Sequence, residues 1–357
     1  MSTSPIDKPN DVRPEEALDL IALSDYLKLH LADFKKIIDI KQFPGGYSNL
    51  TYLIKTTAQE YVLRKPPRGA KIKSAHDMHR EYNVLSLLKP LYKKMPDPTI
   101  YCDDEAVIGS PFFMMERVKG VILRNTIPKG LVLDKNAFQK LSTNTVLNMV
   151  DLHNLELQQS NLISIGNPDG YVSRQVTGWI DRYFKAETDS IKAMNNTAEW
   201  LETHQPTTSA TAFIHNDYKY DNLVLDENSL DIKAVLDWEM ATVGDPLMDL
   251  GTTLAYWVEA DDNKALRAFN LTWPEGNLTR EEFLETYTEC QHLNINDILF
   301  YYVFGCFKLA VIAQQIYARY KKGFTKDPRF AGLIFVVNAC ADNAQNAIKF
   351  KRIHDFR

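Results

Sequence analysis

The clearest pattern in the sequence is a pair of short apolar runs, residues 223–225 and 234–236, which are separated by a polar turn. Short apolar runs bounded by turn residues predict β-strands, so we expect a hairpin within residues 213–239. The first run follows Asn222 and the second leads into Asp237. Polar side chains at that end of the hairpin are therefore the first candidates for chemistry.

The first third of the chain shows the pattern of a sheet. Residues 37–67 alternate between apolar and polar positions like antiparallel strands. Residues 106–108 and 111–115 are further strand candidates, beyond a predicted loop at 96–104. Apolar residues at helical spacing predict one helix before the strands and a second helix at 74–88. This part of the chain is therefore expected to form an antiparallel sheet with two helices.

The rest of the chain has the apolar spacing of helices, beginning with residues 135–153. The most apolar stretch, residues 298–313, is interrupted by Lys308. It is predicted to be a buried helix, too short and too polar to cross a membrane. We therefore predict an α+β fold with two lobes. The predicted divisions are a disordered leader at 1–13, an N-lobe at 14–114 with an N-terminal helix, a five-stranded antiparallel sheet and one further helix, a hinge at 115–120, and a mostly helical C-lobe at 121–357 that contains the hairpin.

Composition and charge are those of an ordinary globular protein. The 357 residues are 45% apolar and carry a formal net charge of −5, which gives no indication of nucleic-acid binding. The N-terminal residues are largely polar, without the apolar core of a signal peptide, and the four cysteines show no metal-ligand spacing. We therefore expect a cytoplasmic protein with reduced thiols and with neither a nucleic acid nor a membrane as partner; its oligomeric state stays open.

The side chains at the end of the hairpin have the types and spacing that phosphoryl transfer requires. His215, Asp217, Lys219 and Asn222 follow the order H-x-D-x-K-x-x-N, and Asp237 begins the sequence D-W-E. Asp217 is the candidate catalytic base, which accepts or orients the proton of an incoming hydroxyl. Lys219 can neutralise charge on the group in transfer. Asp217, Lys219 and Asn222 form the predicted catalytic set.

Oxygen ligands for Mg²⁺ come from the same stretch. Asn222 and Asp237 offer the hard oxygen atoms that this ion prefers, and Glu239 is a further candidate ligand. His215 is expected to brace the backbone of the loop. Asp249 is expected either to accept hydrogen bonds from that backbone or to cap its own helix.

Candidate nucleotide contacts lie in the first lobe. A small turn there can bring backbone N–H groups close to phosphate, and its candidate residues are Gly45, Gly46, Ser48 and Asn49. In the strand that follows, Val62 and Arg64 share one face, which suits Val62 for contact with adenine and Arg64 for contact with phosphate. Lys65 points to the opposite face and is expected to be solvated.

Further candidates lie in the helix and the hinge of this lobe. Glu81 is placed where it can pair with Arg64, and backbone groups near Glu116 and Val118 are predicted to face the adenine edge. Each signal also has an ordinary explanation when taken alone. The Gly-Gly pair suits a hairpin turn, Glu81 suits a surface helix, and the hinge suits an edge strand that leaves the sheet.

Several motifs in the same order resemble the aminoglycoside phosphotransferase and choline kinase superfamily. They include G-G-x-S-N-x-T-Y at 45–52, Y-V-L-R-x-P-P at 61–67, H-N-D-Y-K-x-D-N at 215–222 and L-D-W-E-x-A-T-x-G-D-P-L-x-D-L at 236–250. More narrowly, the chain resembles the kinase-like domains that occur alone in bacteria or fused to acyl-CoA dehydrogenases. The resemblance implies a bilobal protein-kinase-like fold that binds ATP and Mg²⁺ between its lobes. The chain departs from the usual pattern at Asn216, where glycine is common, and at Arg64, where many kinases have lysine.

The resemblance implies transfer of the γ-phosphoryl group of ATP to a hydroxyl of a small molecule, with a hydroxyacyl-CoA as one candidate acceptor. Arg174, Trp179 and Arg319 are candidate contacts to that substrate. Two other functions stay open. A kinase of aminoglycoside antibiotics would need an acidic pocket in the second lobe. A catalytically silent nucleotide-binding module would be expected to lack at least one of the three polar residues of the hairpin.

Overall fold

An antiparallel sheet of five strands forms the first lobe. The computed structural model describes residues 5–43, 49–67, 77–207, 210–292, 295, 297–325 and 327–356, without the side chain of Ala268. The strands are β1 (Ile37–Gln42), β2 (Leu50–Thr56), β3 (Glu60–Lys65), β4 (Pro98–Cys102) and β5 (Phe112–Glu116). Their order in the sheet is β1-β2-β3-β5-β4, and every neighbouring pair is antiparallel.

Alternate residues of the strands point to opposite faces of this sheet. Both faces carry buried apolar side chains, and helices cover each of them. Helix α1 (Leu20–His30) buries Leu23 and Leu27 against apolar residues of one face, including Leu63 of β3. Helix α2 (Met78–Leu88) packs against the other face, where Phe113 of β5 is buried. Arg64 lies on this second face, which turns toward the other lobe.

Two predictions about the edge of the sheet are wrong. Residues 98–102, predicted as a loop, form β4, because Ile100 is buried and pairs with β5. Residues 106–108, predicted as a strand, belong to the short helix α3 (Glu105–Ile108). The carboxylate of Asp104 caps this helix by accepting a backbone N–H of its first turn, and a glycine in the left-handed conformation ends it.

The described part of the leader, residues 5–13, packs against the sheet, contrary to the predicted disorder. Asn10 and Gln42 exchange two backbone hydrogen bonds of 2.8 Å at the edge strand β1. The Asp7 carboxylate accepts a hydrogen bond of 2.8 Å from Arg124, which follows the hinge. An edge strand presents unpaired N–H and C=O groups, and this segment satisfies some of them.

Helices form most of the second lobe. They are α4 (Lys135–His153), α5 (Tyr171–Ala186), α6 (Lys192–Thr203), α7 (Pro246–Tyr256), α8 (Arg280–Gln291), α9 (Ile298–Lys321) and α10 (Leu333–Phe350). Two small antiparallel pairs lie among them: β6 (Ala212–Ile214) with β9 (Thr242–Gly244), and β7 (Leu223–Leu225) with β8 (Ile232–Val235). The β7–β8 pair confirms the predicted hairpin. It keeps Asn222 next to the residue before Asp237, because the Leu236 N–H donates to the Asn222 carbonyl oxygen at 2.8 Å.

The most apolar segment forms a longer helix than predicted. Helix α9 has 24 residues, and by length and composition it is long and apolar enough to cross a membrane. In this fold 78% of its most apolar window is buried inside the protein, where it packs mainly against α7 and α10. The prediction of a buried helix is confirmed, whereas the argument that the segment is too short is wrong.

Candidate active site

The loop between β6 and β7 gathers the predicted catalytic side chains around Asp217. The Lys219 Nζ donates to both carboxylate oxygens of Asp217, at 2.9 Å to Oδ1 and 2.8 Å to Oδ2. The Asn222 Nδ2 donates to Asp217 Oδ2 at 2.9 Å and to the Asp217 carbonyl oxygen at 2.8 Å. Tyr256 of α7 borders the group, with its ring centre 4.6 Å from Lys219 Nζ. Asp217, Lys219 and Asn222 therefore form one hydrogen-bonded cluster.

The surroundings of Asp217 keep it ionised. Burial alone would raise the pKa of the Asp217 carboxyl, but the charge and hydrogen bonds of Lys219 outweigh burial and hold that pKa below its usual value. Burial would likewise lower the pKa of Lys219, but the charge of Asp217 raises it above its usual value. The pair is thus a carboxylate and an ammonium ion at neutral pH. It can accept a hydrogen bond from a hydroxyl and balance nearby negative charge.

Asp249 holds the backbone that carries Asp217. Its Oδ2 accepts the N–H of His215 at 2.8 Å, and its Oδ1 accepts the N–H of Asn216 at 2.7 Å. Of the two predicted alternatives, the contact with the loop backbone is the one observed, because Asp245 caps α7 instead. A buried carboxylate that accepts two backbone N–H groups is a strong anchor for a loop.

His215 links the loop to the hairpin. Its Nε2 lies 2.9 Å from the Leu236 carbonyl oxygen, and its Nδ1 accepts the Asp217 N–H at 3.2 Å. The side chain is 0% exposed, so it has no surface for a substrate. This geometry is that of a brace between the predicted base and the strand that leads to Asp237.

Arg64 lies between the lobes and contacts acidic residues from both. Its guanidinium pairs with Glu81 at 2.5 Å, with Asp237 at 3.1 Å and with Glu239 at 3.5 Å. Burial raises the pKa of the Glu81 carboxyl to about 8; the charge of Arg64 opposes this rise, and the charges of Asp237 and Glu239 add to it. Acidic groups therefore outnumber the cation at this point of the cleft.

The excess of acidic groups fits a magnesium ion bound together with nucleotide phosphates. In the hydrogen bonds of the described residues, Asn222 uses its amide N–H groups and Asp237 uses Oδ1. The side-chain oxygen Oδ1 of Asn222 and the Oδ2 of Asp237 are thus oxygens that a metal can take. The described ranges contain no group of three or more His, Cys, Asp or Glu side chains placed to hold a metal. Mg²⁺ usually takes one or two protein ligands and completes its shell with phosphates and water.

Part of the predicted phosphate-binding turn lies outside the described residues, namely Gly45, Gly46 and Ser48. Asn49, at the end of that turn, is 2% exposed and donates to Glu239 at 2.9 Å. Asn49 and Glu239 therefore join the lobes, and Glu239 contacts Asn49 and Arg64 rather than Asn222.

The predicted adenine contacts lie at the hinge side of the cleft. Val62 is buried on the same strand as Arg64. Val118 is part of the hinge and packs in a small apolar cluster with Ile122, Val224, Ala234 and Leu236. Glu116 ends β5, and its N–H already donates to the Asp97 carbonyl oxygen at 2.8 Å. A contact between Glu116 and an adenine edge would therefore have to use its carbonyl group.

Lys65 is buried, contrary to the prediction that it is solvated. Its side chain lies under α3, and its Nζ donates to the Ile108 carbonyl oxygen at 2.9 Å. Ile108 is the last residue of α3, where carbonyl groups lack helical partners and attract a cation. The prediction is wrong because it placed a strand where the chain forms this helix.

The three predicted substrate contacts are spread over the second lobe. Arg174 binds backbone carbonyl groups just before its own helix. Arg319 is exposed near the end of α9. The ring of Trp179 lies 5.6 Å from the Nζ of Lys308, which donates to the Asn216 carbonyl oxygen at 2.7 Å. Trp179 is thus connected to the catalytic loop through its contact with Lys308.

Sequence reasoning missed three supports of the loop. Besides Lys308, these are Tyr171, whose hydroxyl accepts from the Asn216 amide at 3.1 Å, and His153, which lies 3.3 Å from the Asp249 carboxylate. A lysine inside the most apolar stretch was a visible signal for Lys308. The other two carry no local signal, because their helices reach the loop only in the folded chain.

The fold and the site define a phosphotransferase of protein-kinase-like architecture. The sequence model of a family described as the phosphotransferase enzyme family matches residues 39–284. The chain belongs to that family.

Curated proteins that match most of the chain are named as acyl-CoA dehydrogenase family members. Human acyl-CoA dehydrogenase family member 11 is 34% identical over 323 residues, which cover 88% of this chain and 41% of that protein. Mouse acyl-CoA dehydrogenase family member 10 is 34% identical over 316 residues, which cover 86% of this chain and 29% of that protein. The chain thus spans less than half the length of these relatives. The predicted resemblance to kinase-like domains linked to acyl-CoA dehydrogenases is confirmed.

Solved structures agree on the fold. A candidate aminoglycoside phosphotransferase from Ralstonia eutropha superposes with a TM-score of 0.79 at 28% identity, covering 94% of this chain and 99% of that one. The GDP complex of aminoglycoside 2'-phosphotransferase-IIIa gives 0.62 at 14% identity, covering 91% and 99%. Choline kinase from Cryptosporidium parvum gives 0.60 at 12% identity, covering 91% and 97%. The predicted α+β, bilobal kinase-like fold is confirmed.

Proposed function

We propose that the protein transfers the γ-phosphoryl group of ATP to a hydroxyl group of a small molecule. The observation that carries this proposal is the cluster of Asp217, Lys219 and Asn222, which shares a hairpin with Asp237. Arg64 reaches Asp237 from the other lobe. Phosphoryl transfer depends mainly on positioning and on stabilising charge, and these side chains supply both.

The nucleotide would bind between the lobes. Arg64 would contact its phosphates, and Glu81 would hold the guanidinium in place. Asn222 and Asp237 would hold Mg²⁺, which when bound neutralises phosphate charge. Asp237 would then contact both Arg64 and the metal ion. Residues from both lobes would thus surround the phosphates.

Asp217 would accept a hydrogen bond from the acceptor hydroxyl. It would take the hydroxyl proton as the bond from the acceptor oxygen to the γ-phosphorus forms and the bond from the γ-phosphorus to the bridging oxygen of ADP breaks. Its lowered pKa makes it a weak base. A weak base suffices, because in a loose transition state there is little bonding to the attacking oxygen. Lys219 stays protonated against the same carboxylate and would offset negative charge on the transferring group.

The acceptor that we propose is a hydroxyacyl-CoA. The relatives that match most of the chain are named as acyl-CoA dehydrogenase family members, and this chain corresponds to one part of each. A hydroxylated acyl thioester is the simplest substrate that a kinase and a dehydrogenase in one polypeptide would share.

Two carboxylates of an acidic cluster in the second lobe already pair with a buried cation, which argues against a cationic antibiotic bound there. Glu259 and Asp262 bind the buried guanidinium of Arg280. Their side chains are 12% and 4% exposed. An aminoglycoside would need carboxylates that face an open pocket. This favours the acyl-CoA over the antibiotic.

The test is ADP release from the purified protein with MgATP and a panel of acceptors: hydroxyacyl-CoA thioesters of several chain lengths, the corresponding free hydroxy acids, choline and an aminoglycoside. We expect turnover with a thioester. The variant Asp217→Asn should lower kcat by about 100-fold or more, as for loss of a general base. Asp226→Asn is the matched control, because asparagine serves the hairpin turn as well as aspartate does.

Two outcomes would contradict the proposal. Equal rates for wild type and Asp217→Asn would show that Asp217 is not the base. Binding of MgATP in a thermal-shift assay without ADP release for any hydroxyl compound would favour the silent nucleotide-binding module.

A further inference from the structure

Lys308 places a charge inside the most apolar helix of the protein. It lies near the middle of α9, and it is 2% exposed. Lysine is almost never fully buried unless it is paired, because the ammonium group loses its hydration. A buried lysine in this position therefore calls for a specific partner.

That partner is the backbone just before the catalytic base. Lys308 Nζ donates to the Asn216 carbonyl oxygen at 2.7 Å. Asn216 has a φ of +66°, in the left-handed region that residues with a side chain seldom adopt. Its carbonyl belongs to the peptide group that leads into Asp217. The hydrogen bond thus acts on the orientation of that peptide.

Other contacts restrain the remaining groups of Asn216. Its N–H donates to Asp249 at 2.7 Å, and its side-chain amide donates to the Tyr171 hydroxyl and to the Met240 carbonyl oxygen, both at 3.1 Å. Lys308 supplies the contact to the carbonyl group. A residue in an unfavourable conformation persists only when its surroundings hold it on several sides, and such residues cluster at active sites.

The charges around Lys308 come from three elements. Burial lowers the pKa of Lys308 to about 8; Asp249 of α7 and Asp217 of the loop oppose this, whereas Lys219 and Arg182 of α5 add to it.

We propose that Lys308 is a positioning residue for the phosphotransfer reaction, whose ammonium group orients the Asn216–Asp217 peptide. This rests on the function proposed above. Lys308 is buried beneath the loop, so it acts through Asn216 and Asp217.

Two variants separate the hydrogen bond from the charge. Lys308→Met removes both and keeps a similar length, whereas Lys308→Gln keeps a donor without the charge. For Lys308→Met we expect kcat to fall about 10- to 100-fold, as for loss of a hydrogen bond to a charged group, with the KM for ATP within about twofold. Lys308→Gln should recover part of kcat, because it keeps a hydrogen-bond donor. Lys321→Met, at the exposed end of the same helix, is the control and should change neither kcat nor KM.

Hydrogen exchange provides a readout that needs no acceptor. Amides in residues 213–222 should exchange faster in Lys308→Met than in wild type. If wild type phosphorylates no acceptor, the function proposed above fails, while faster exchange in the variant still supports the positioning of the loop. If Lys308→Met had the kcat of wild type and the same rate of hydrogen exchange in residues 213–222, the proposal would be overturned. Failure of both Lys308 variants to fold would also overturn it, because Lys308 would then be a structural residue.

Discussion

Replacing Asp249 by asparagine removes the charge that anchors the catalytic loop and leaves the shape of the side chain nearly unchanged. The wild-type carboxylate is 1% exposed and accepts the N–H groups of His215 and Asn216 at 2.8 and 2.7 Å. Asparagine offers one carbonyl oxygen and one NH₂ group. One of the two backbone N–H groups would therefore face a second donor.

The expected loss follows from these contacts. A hydrogen bond to a charged group contributes about 1.5–3 kcal/mol, and a buried donor left unsatisfied costs about 1–3 kcal/mol. These two effects overlap, so the free energy of unfolding should fall by about 2–4 kcal/mol in Asp249→Asn. The same change should lower kcat, because Asp217 follows directly on the two N–H groups that Asp249 holds.

The pH dependence has a definite sign. Burial would raise the pKa of Asp249, but the hydrogen bond and charge of His153, together with His215, hold it below its usual value. A carboxyl whose pKa is lowered by folding stabilises the protein above the pKa of the unfolded chain, about 3.9, and this contribution is lost as the pH falls through the folded-state pKa. The difference between wild type and Asp249→Asn should thus be present at neutral pH and shrink in acid, as the pH falls below about 3.9.

Urea unfolding at neutral and acid pH measures this difference. Asp245→Asn is the matched control, since Asp245 caps the same helix and asparagine caps as well as aspartate. We expect a small shift of the midpoint for Asp245→Asn and a large one for Asp249→Asn. Equal midpoints for the two variants would refute the role of Asp249 as the anchor of the loop.

Two further predictions concern the buried cations Arg64 and Lys308. Arg64→Met should raise the KM for ATP about tenfold or more in steady-state assays, because a charge-assisted contact to phosphate is lost; an unchanged KM would place the phosphates elsewhere. Lys308 has a folded-state pKa of about 8 against 10.5 in the unfolded chain, so its burial costs stability below pH 8 and the cost disappears as the pH rises toward 10.5. At about 1.4 kcal/mol per pKa unit, wild type should gain about 3 kcal/mol relative to Lys308→Met between pH 7 and 10.5, measured by urea unfolding. A difference that does not vary with pH would contradict the buried charge.

Local pattern in the sequence determined the parts of the site that lie within one hairpin or one strand. Two short apolar runs joined by a polar turn predict a hairpin, and in this hairpin Asn222 and Asp237 lie close together. Alternation along β3 likewise placed Val62 and Arg64 on the same face. The family motifs extended this to the kinase-like fold.

The tertiary structure alone decided which distant groups meet these residues. Arg64 reaches Asp237 across the cleft, and Lys308 reaches the loop from a helix near the other end of the chain. The prediction for Lys65 failed for the same reason, because α3 covers a face that the strand pattern left open. Periodicity shows which side of an element is apolar. It does not show which element packs there, because that depends on how all the elements fill the interior together.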